Sequence, residues 1–334
     1  MALASSSRLC SRIRSRVMFV GAVKPVIVGV ALGVCGRAWA KPVEGAGGAQ
    51  RGAVVGLDVT TIGAFVLSLV ILVGLVMGKV LRPRALGERG LRKIDSHPWW
   101  VWMLCGVMVF FALMLGASVG AALAMAAGAG SGSEQYQTMA GVAGYATALA
   151  VGAVLVRLVR ATAPQAGFAA PPKSFAMGLG WLLVALPMVY SAGSIAVLIQ
   201  EACTGREITD RLAHPTLKLL AENHGNVWAW ATGLVAIVLA PIQEELVFRG
   251  FLQTALLRLL GRPWLSILVA SLVFAAAHIG ADMPWYGIAP VFVLGLAMGF
   301  AFERTRMLGT SVAMHVGFNA LNVAMALLGA GAGS

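Results

Sequence analysis

Six residues in the last third of the chain could serve a single reaction: Glu244, Glu245, Arg249, His278, His315 and Asn319. Each lies in or beside a run of apolar residues. A charged side chain at the centre of a bilayer costs roughly 2.5–3.5 kcal/mol, so its presence needs a reason. Glu245 and Arg249 are four apart with the acid first, the favourable order for an ion pair on one helical face. Glu244 projects about 100° away around the same helix, which leaves it free to act on something else. Taken alone, the group is equally well read as a helix-end salt bridge with Arg249 snorkelling to the interface.

His278 follows Val273-Phe274-Ala275-Ala276-Ala277, with Phe274 one turn earlier on the same face. Ser311, His315, Asn319 and Asn322 recur at intervals of four, four and three, a single polar stripe on an otherwise apolar segment. Such a stripe faces a protein interior or a wet cavity. Hydrogen bonding between helices accounts for it as readily as chemistry does. His97, His214 and His224 fall in connections and read as solvated. One shared site is favoured because the last four apolar segments contribute a carboxylate pair, two histidines and an asparagine, whereas the first four contribute almost no ionisable group.

A carboxylate and a histidine can hold and deprotonate a water, while a second histidine and an amide donate to a developing oxyanion. Those are the demands of adding water to a peptide carbonyl. No cofactor is required by this set, but Glu244, His278 and His315 could instead hold Zn with one position open for water. No H-E-x-x-H helix is present, and Asp58, Asp95, Asp210 and Asp282 all fall in connections or at segment edges. Ser131 and Ser133 sit in a Gly-rich turn. Two other classes stay open: a non-catalytic immunity or scaffold protein, and a transporter, which would need polar residues lining both halves of the chain.

The elements that must position these residues are membrane helices. The chain of 334 residues is 59% hydrophobic and 11% charged, and its apolar residues come in runs. Eight stretches lie near the ~20 residues needed to span the hydrocarbon: 60–78, 99–127, 140–156, 175–199, 227–246, 264–280, 286–302 and 308–328. The expected fold is all-α, a polytopic bundle of about eight spanning helices. The net charge of +12 sits in short clusters between these runs with no aromatic-interleaved basic face, which excludes nucleic acid as the partner and leaves the lipid bilayer.

Lys79, Arg82, Arg84, Arg89, Arg92 and Lys93 mark the first connection as cytoplasmic. Arg157, Arg160 and Lys173, then Arg258 and Arg262, then Arg304 and Arg306 mark the alternate ones. Before the bundle, Arg8 to Arg16, the apolar run Pro25–Val34 and Ala38-Trp39-Ala40 have the order of a secretory signal or signal anchor. Cleavage after Ala40 would leave Cys105 and Cys203, too little for a disulfide framework. The division expected is a signal over 1–40, a Gly-rich tail over 41–58, an N-terminal membrane region over 59–226 and the site-bearing core over 227–328, in the cell (inner) membrane.

These boundaries create a conflict. Glu244 falls near the cytoplasmic end of its span and His278 near the outer end of the next, too far apart to meet. Either Pro241 breaks the helix so that the Glu pair lies deeper, or the following span starts later, with residues 245–260 helical and partly inside the membrane.

Three motifs, Glu244-Glu245-x-x-x-Arg249, Phe274-x-x-x-His278 and His315-x-x-x-Asn319, resemble the signatures of the CPBP family, which comprises CAAX prenyl endopeptidases and bacteriocin-processing or immunity membrane proteins. Pro241, Gly250, Gly309 and Ser311 fit the same pattern, and the resemblance covers about residues 227–322. It implies an intramembrane endopeptidase acting on a peptide or membrane protein. Glu244 and His278 would activate water, His315 and Asn319 would stabilise the oxyanion, and Glu245 with Arg249 would organise the site. Residues 1–200 carry no assignable motif.

Overall fold

The computed structural model describes residues 59–82, 84–86, 92–205, 208, 226–279 and 284–332, all within one compact unit, Ala53–Ser334. The expected signal and tail lie outside the described residues, as do His214 and His224.

A helix forms at each of the eight apolar stretches, and no strand occurs among the described residues. They are α1 (Val59–Met77), α2 (Trp99–Ala126), α3 (Glu134–Thr162), α4 (Pro172–Thr204), α5 (Val227–Leu260), α6 (Pro263–Ala277), α7 (Trp285–Thr305) and α8 (Leu308–Ala332). Six are long and apolar enough to cross a membrane, whereas α1 and α6 are shorter. The protein is a multi-pass membrane protein of the all-α class. The 15 residues of α6 rise only about 22 Å against a ~30 Å hydrocarbon core, so eight full spans overstates the lengths.

The connections that the positive-charge pattern places together do meet. Arg92 donates to the Ala166 carbonyl between α3 and α4, Arg258 donates to the His97 carbonyl at 3.2 Å, and Arg304 donates to the Ala85 carbonyl at 3.3 Å. At the other end, Asn226 bonds Glu134 and Trp285 bonds Gln200. Phe111, Leu115, Leu158 and Leu183 project outward, as side chains facing lipid do.

Helices approach closely where small residues recur. Gly116 and Gly120, four apart on α2, lie against α3, and a Cβ on Gly116 would stand 2.6 Å from the Ala143 carbonyl oxygen and 2.5 Å from Thr147 Oγ1. Since the backbone carbonyl cannot step aside, Gly116→Ala is expected to destabilise the protein by about 1–3 kcal/mol, read as an earlier midpoint in a denaturing-detergent titration.

Helices α3 and α5 run side by side in one direction. Thr138 bonds Thr232 at 2.6 Å, Gly141 faces Val235 and Gly152 faces Leu246, three pairs with the same separation of 94 residues. This register carries the middle of α3 past the carboxylate pair of α5.

Candidate active site

The depth conflict disappears because α5 does not stop after Glu245. It continues to Leu260, turns through Gly261 in the left-handed conformation (φ 64°) and re-enters as α6 at Pro263. Glu244 lies 16 residues before Leu260 and His278 lies 15 after Pro263. At ~1.5 Å per residue both stand roughly 22–24 Å from the turn, at the same level. The span drawn over 227–246 is therefore corrected: the carboxylates sit midway along a 34-residue helix, not at its end. His278 is the residue at the end of α6, following Ala277.

Within α5 the pitch is not uniform. Val235–Leu239 and Leu246–Gln253 are π-helical and flank the short α segment Ala240–Glu245 that holds Pro241. In the first π turn the Ala240 N–H reaches the Val235 carbonyl, five residues back. The next bond in that pattern would run from residue 241 to the Ala236 carbonyl, but proline has no N–H to give. Asn319 Nδ2 on α8 supplies the missing donor to Ala236 O at 2.9 Å. Asn319→Ala is expected to lower the thermal midpoint by an amount worth about 1 kcal/mol, and Pro241→Ala in the same chain, which restores an N–H, to recover part of it.

The carboxylates take different environments. Glu245 is fully buried, and its Oε1 meets Arg249 Nη1 at 3.0 Å and His315 Nδ1 at 3.0 Å. Arg249 is also buried; its guanidinium lies 4.3 Å over the Phe274 ring and donates to the Gly295 carbonyl at 3.2 Å. Glu244 keeps 23% of its side chain exposed, and its shielded Oε2 has no hydrogen-bond partner. That oxygen stands 3.9 Å from His315 Nε2, too long for a direct hydrogen bond and short enough for a water to bridge.

Phe274 is the hub. Its ring stacks edge-on with Phe248, His278 and His315, at centroid distances of 5.1, 4.8 and 5.6 Å, in addition to the Arg249 contact. His278 Nδ1 lies 2.8 Å from the Phe274 carbonyl oxygen, an acceptor, which puts the proton on Nδ1 and leaves Nε2 with its lone pair. By the same reasoning His315 Nδ1 donates to Glu245 and turns Nε2 toward Glu244. Arg249, His278 and His315 thus pack on one phenyl ring, with Glu245 bonded to two of them and Glu244 3.9 Å from His315 Nε2, while Asn319 stands one turn along α8 with one of its two amide hydrogens already used. Of the rest of the α8 stripe, Ser311 donates to Leu308 O and Asn322 to Phe318 O, within their own helix.

Two features escape a reading of motifs. Tyr145, on α3, lies within electrostatic reach of Glu244, and a single tyrosine in an apolar helix gives no sequence signal. Gln253, one turn after Arg249, extends the series Glu245, Arg249, Gln253, and that interval of four is legible in the chain.

Residues 226–321 match the family model described as type II CAAX prenyl endopeptidase Rce1-like. The C-terminal core is similar to that family. The match covers 96 of the 334 residues and contains every candidate site residue. UPF0177 protein YbdJ of Lactococcus lactis subsp. lactis (strain IL1403) is 30% identical over 93 residues, 28% of this chain and 38% of that protein. UPF0177 protein YbdI of the same strain is 25% identical over 112 residues, 31% of this chain and 58% of that protein. The chain thus aligns with less than two thirds of the length of each of these relatives. No solved structure matches it.

Among the described residues no three of His, Cys, Asp and Glu come together in a way that could hold one metal ion. His315 uses Nδ1 on Glu245 and His278 uses Nδ1 on Phe274 O, which leaves Nε2 of each ring as the nitrogen available to a ligand or a proton.

Proposed function

We propose that this protein is an intramembrane endopeptidase of the cell membrane that hydrolyses a peptide bond in a peptide or membrane-protein substrate. The observation that carries this reading is the asymmetry of the carboxylate pair. Glu245 is fully buried, neutralised by Arg249 and bonded to His315, whereas Glu244 stays partly exposed with its Oε2 3.9 Å from His315 Nε2, in a segment that matches an endopeptidase family.

In the reaction Glu244 removes a proton from water, helped by the lone pair of His278 Nε2. The water oxygen bonds to the peptide carbonyl carbon, and the carbonyl electron pair moves onto oxygen. His315, held in place by Glu245, and the second amide hydrogen of Asn319 stabilise that oxyanion. The C–N bond then breaks, and Glu244 passes its proton to the leaving amine. Each step uses side chains alone, so cleavage is expected to survive a strong chelator.

The test is proteolysis of a candidate peptide library by purified full-length protein in detergent, comparing wild type, Glu244→Gln and His278→Ala with and without chelator. Cleavage by wild type that is lost in Glu244→Gln supports the reading. Cleavage that persists in both variants overturns it. Abolition by chelator alone overturns the metal-free mechanism.

A further inference from the structure

Toward the Gly261 turn from the active site, α5 and α7 are joined by two equivalent rungs. Arg249 Nη2 donates to Gly295 O at 3.2 Å, and one turn on, Gln253 Nε2 donates to Gly299 O at 3.1 Å, each pair separated by 46 residues. The rungs are short because α7 carries glycine at both: a Cβ on Gly299 would stand 2.8 Å from Gln253 Oε1. Gln253 also bonds Glu303 Oε1 at 3.0 Å, and there the ladder meets a second buried arginine.

That arginine is Arg92, in the connection between α1 and α2 and outside the family match. It holds Glu303 bidentately, Nε to Oε2 at 3.0 Å and Nη2 to Oε1 at 2.7 Å, and uses Nη1 on Thr254 Oγ1 at 2.9 Å and on Ala166 O. Its guanidinium lies 4.5 Å over Phe302. Arg92, Gln253, Thr254 and Glu303 are all buried. A charged residue of a polar connection has therefore been drawn inside the bundle and fully satisfied there. Thr254, which it grips directly, and Gln253, which shares Glu303 with it, stand at the end of the second π-helical stretch of α5, Leu246–Gln253.

We propose that Arg92 is a positioning residue: through Glu303 and Gln253 it fixes the axial register of α5 against α7, and so the placement of Glu244 and Glu245 beside His315. The guanidinium fork matters as well as the charge, because a bidentate grip sets distance and angle together.

The inference rests on the hydrolase reading for its kinetic arm only. The test uses the full-length protein in detergent with Arg92→Met and Glu303→Gln combined, a pair that removes both charges at once and so leaves neither unpaired. Two quantities are read: peptide cleavage, and the 15N resonances of His315 in histidine-labelled protein. The expected result is a fall in kcat of about 10–100-fold with KM changed less than about 2-fold, since a displacement near 1 Å is enough to lose such a factor, together with a shifted His315 signal. Arg92→Lys, which keeps charge and loses the fork, is expected to fall between. Unchanged kcat and an unmoved His315 signal overturn the proposal, and so does a fall in kcat with His315 unmoved, because the loss would then not pass through α5. A shifted His315 signal in a protein whose wild type cleaves nothing supports the positioning role while overturning the hydrolase reading. If the double variant fails to fold, Gln253→Leu removes the central rung without unpairing the Arg92–Glu303 ion pair and is judged on the same two readouts.

Discussion

Replacing Glu244 by Gln is expected to lower the cleavage rate by about 10²–10⁴-fold, the range contributed by a positioned general acid or base, while leaving the fold intact. The amide has the shape of the carboxylate but cannot take a proton from water. No hydrogen bond of Glu244 Oε2 is lost, and the nearest basic nitrogen, His315 Nε2, stands 3.9 Å away. The side chain is also partly exposed, so the substitution breaks no observed bond. The measurement is an initial rate paired with a thermal midpoint on the same preparation. A variant that keeps its midpoint and its rate would remove Glu244 from the chemistry. The neighbouring Glu245→Gln should behave differently, because that carboxylate holds both Arg249 and His315 and its loss disturbs structure and rate together.

The second large effect concerns stability. Arg249→Met is expected to destabilise the protein by about 3–5 kcal/mol, the cost of breaking a buried ion pair from one side. Glu245 is wholly shielded, so no solvent compensates the charge left behind. The same change removes the contact with the Phe274 ring and the bond to Gly295 O, loosening the ring that both histidines pack against. Adding Glu245→Gln should restore most of the stability, because a neutral pair is cheap to bury. It should not restore cleavage, since His315 would lack the carboxylate that orients it. Unfolding by denaturing detergent, followed by tryptophan fluorescence, separates the two. If the single variant is as stable as the double, the buried pair is not what holds this part of the bundle.

Both results bear on how the two halves of the chain cooperate. The family match begins at residue 226 and ends at 321, yet Arg92 and Tyr145, from the N-terminal half, reach the elements that carry the site. The half without recognisable motifs therefore contributes at least the Arg92 clamp on α5 and α7. The rule that cationic residues flank spans assigns Arg92 to a cytoplasmic connection, and a composition rule cannot tell a solvated arginine from one folded back into the bundle. Glu303, beside Arg304 at the end of α7, is hidden in the same way. The glycine pairs 116/120 and 295/299 are visible as spacings of four, a known mark of close helix contact in membranes.

What the sequence by itself determined was the class of fold, the places of the eight helices, which connections gather at one end of the bundle, and which ionisable residues needed explaining. Apolar run length, the distribution of Lys and Arg, and the cost of charge in lipid are properties of the chain alone, so they survive without coordinates. The i,i+4 pairing of Glu245 with Arg249 was legible for the same reason, because one helix supplies both partners. Only the tertiary structure decided how deep the carboxylates lie, since that depends on α5 running on through two π-helical stretches to Leu260. It alone put Asn319 against the carbonyl that Pro241 leaves unpaired, seated both histidines on Phe274, and freed Glu244 by giving Glu245 two partners. Each of those depends on side chains from different helices meeting at one depth, and spacing along the chain does not encode depth.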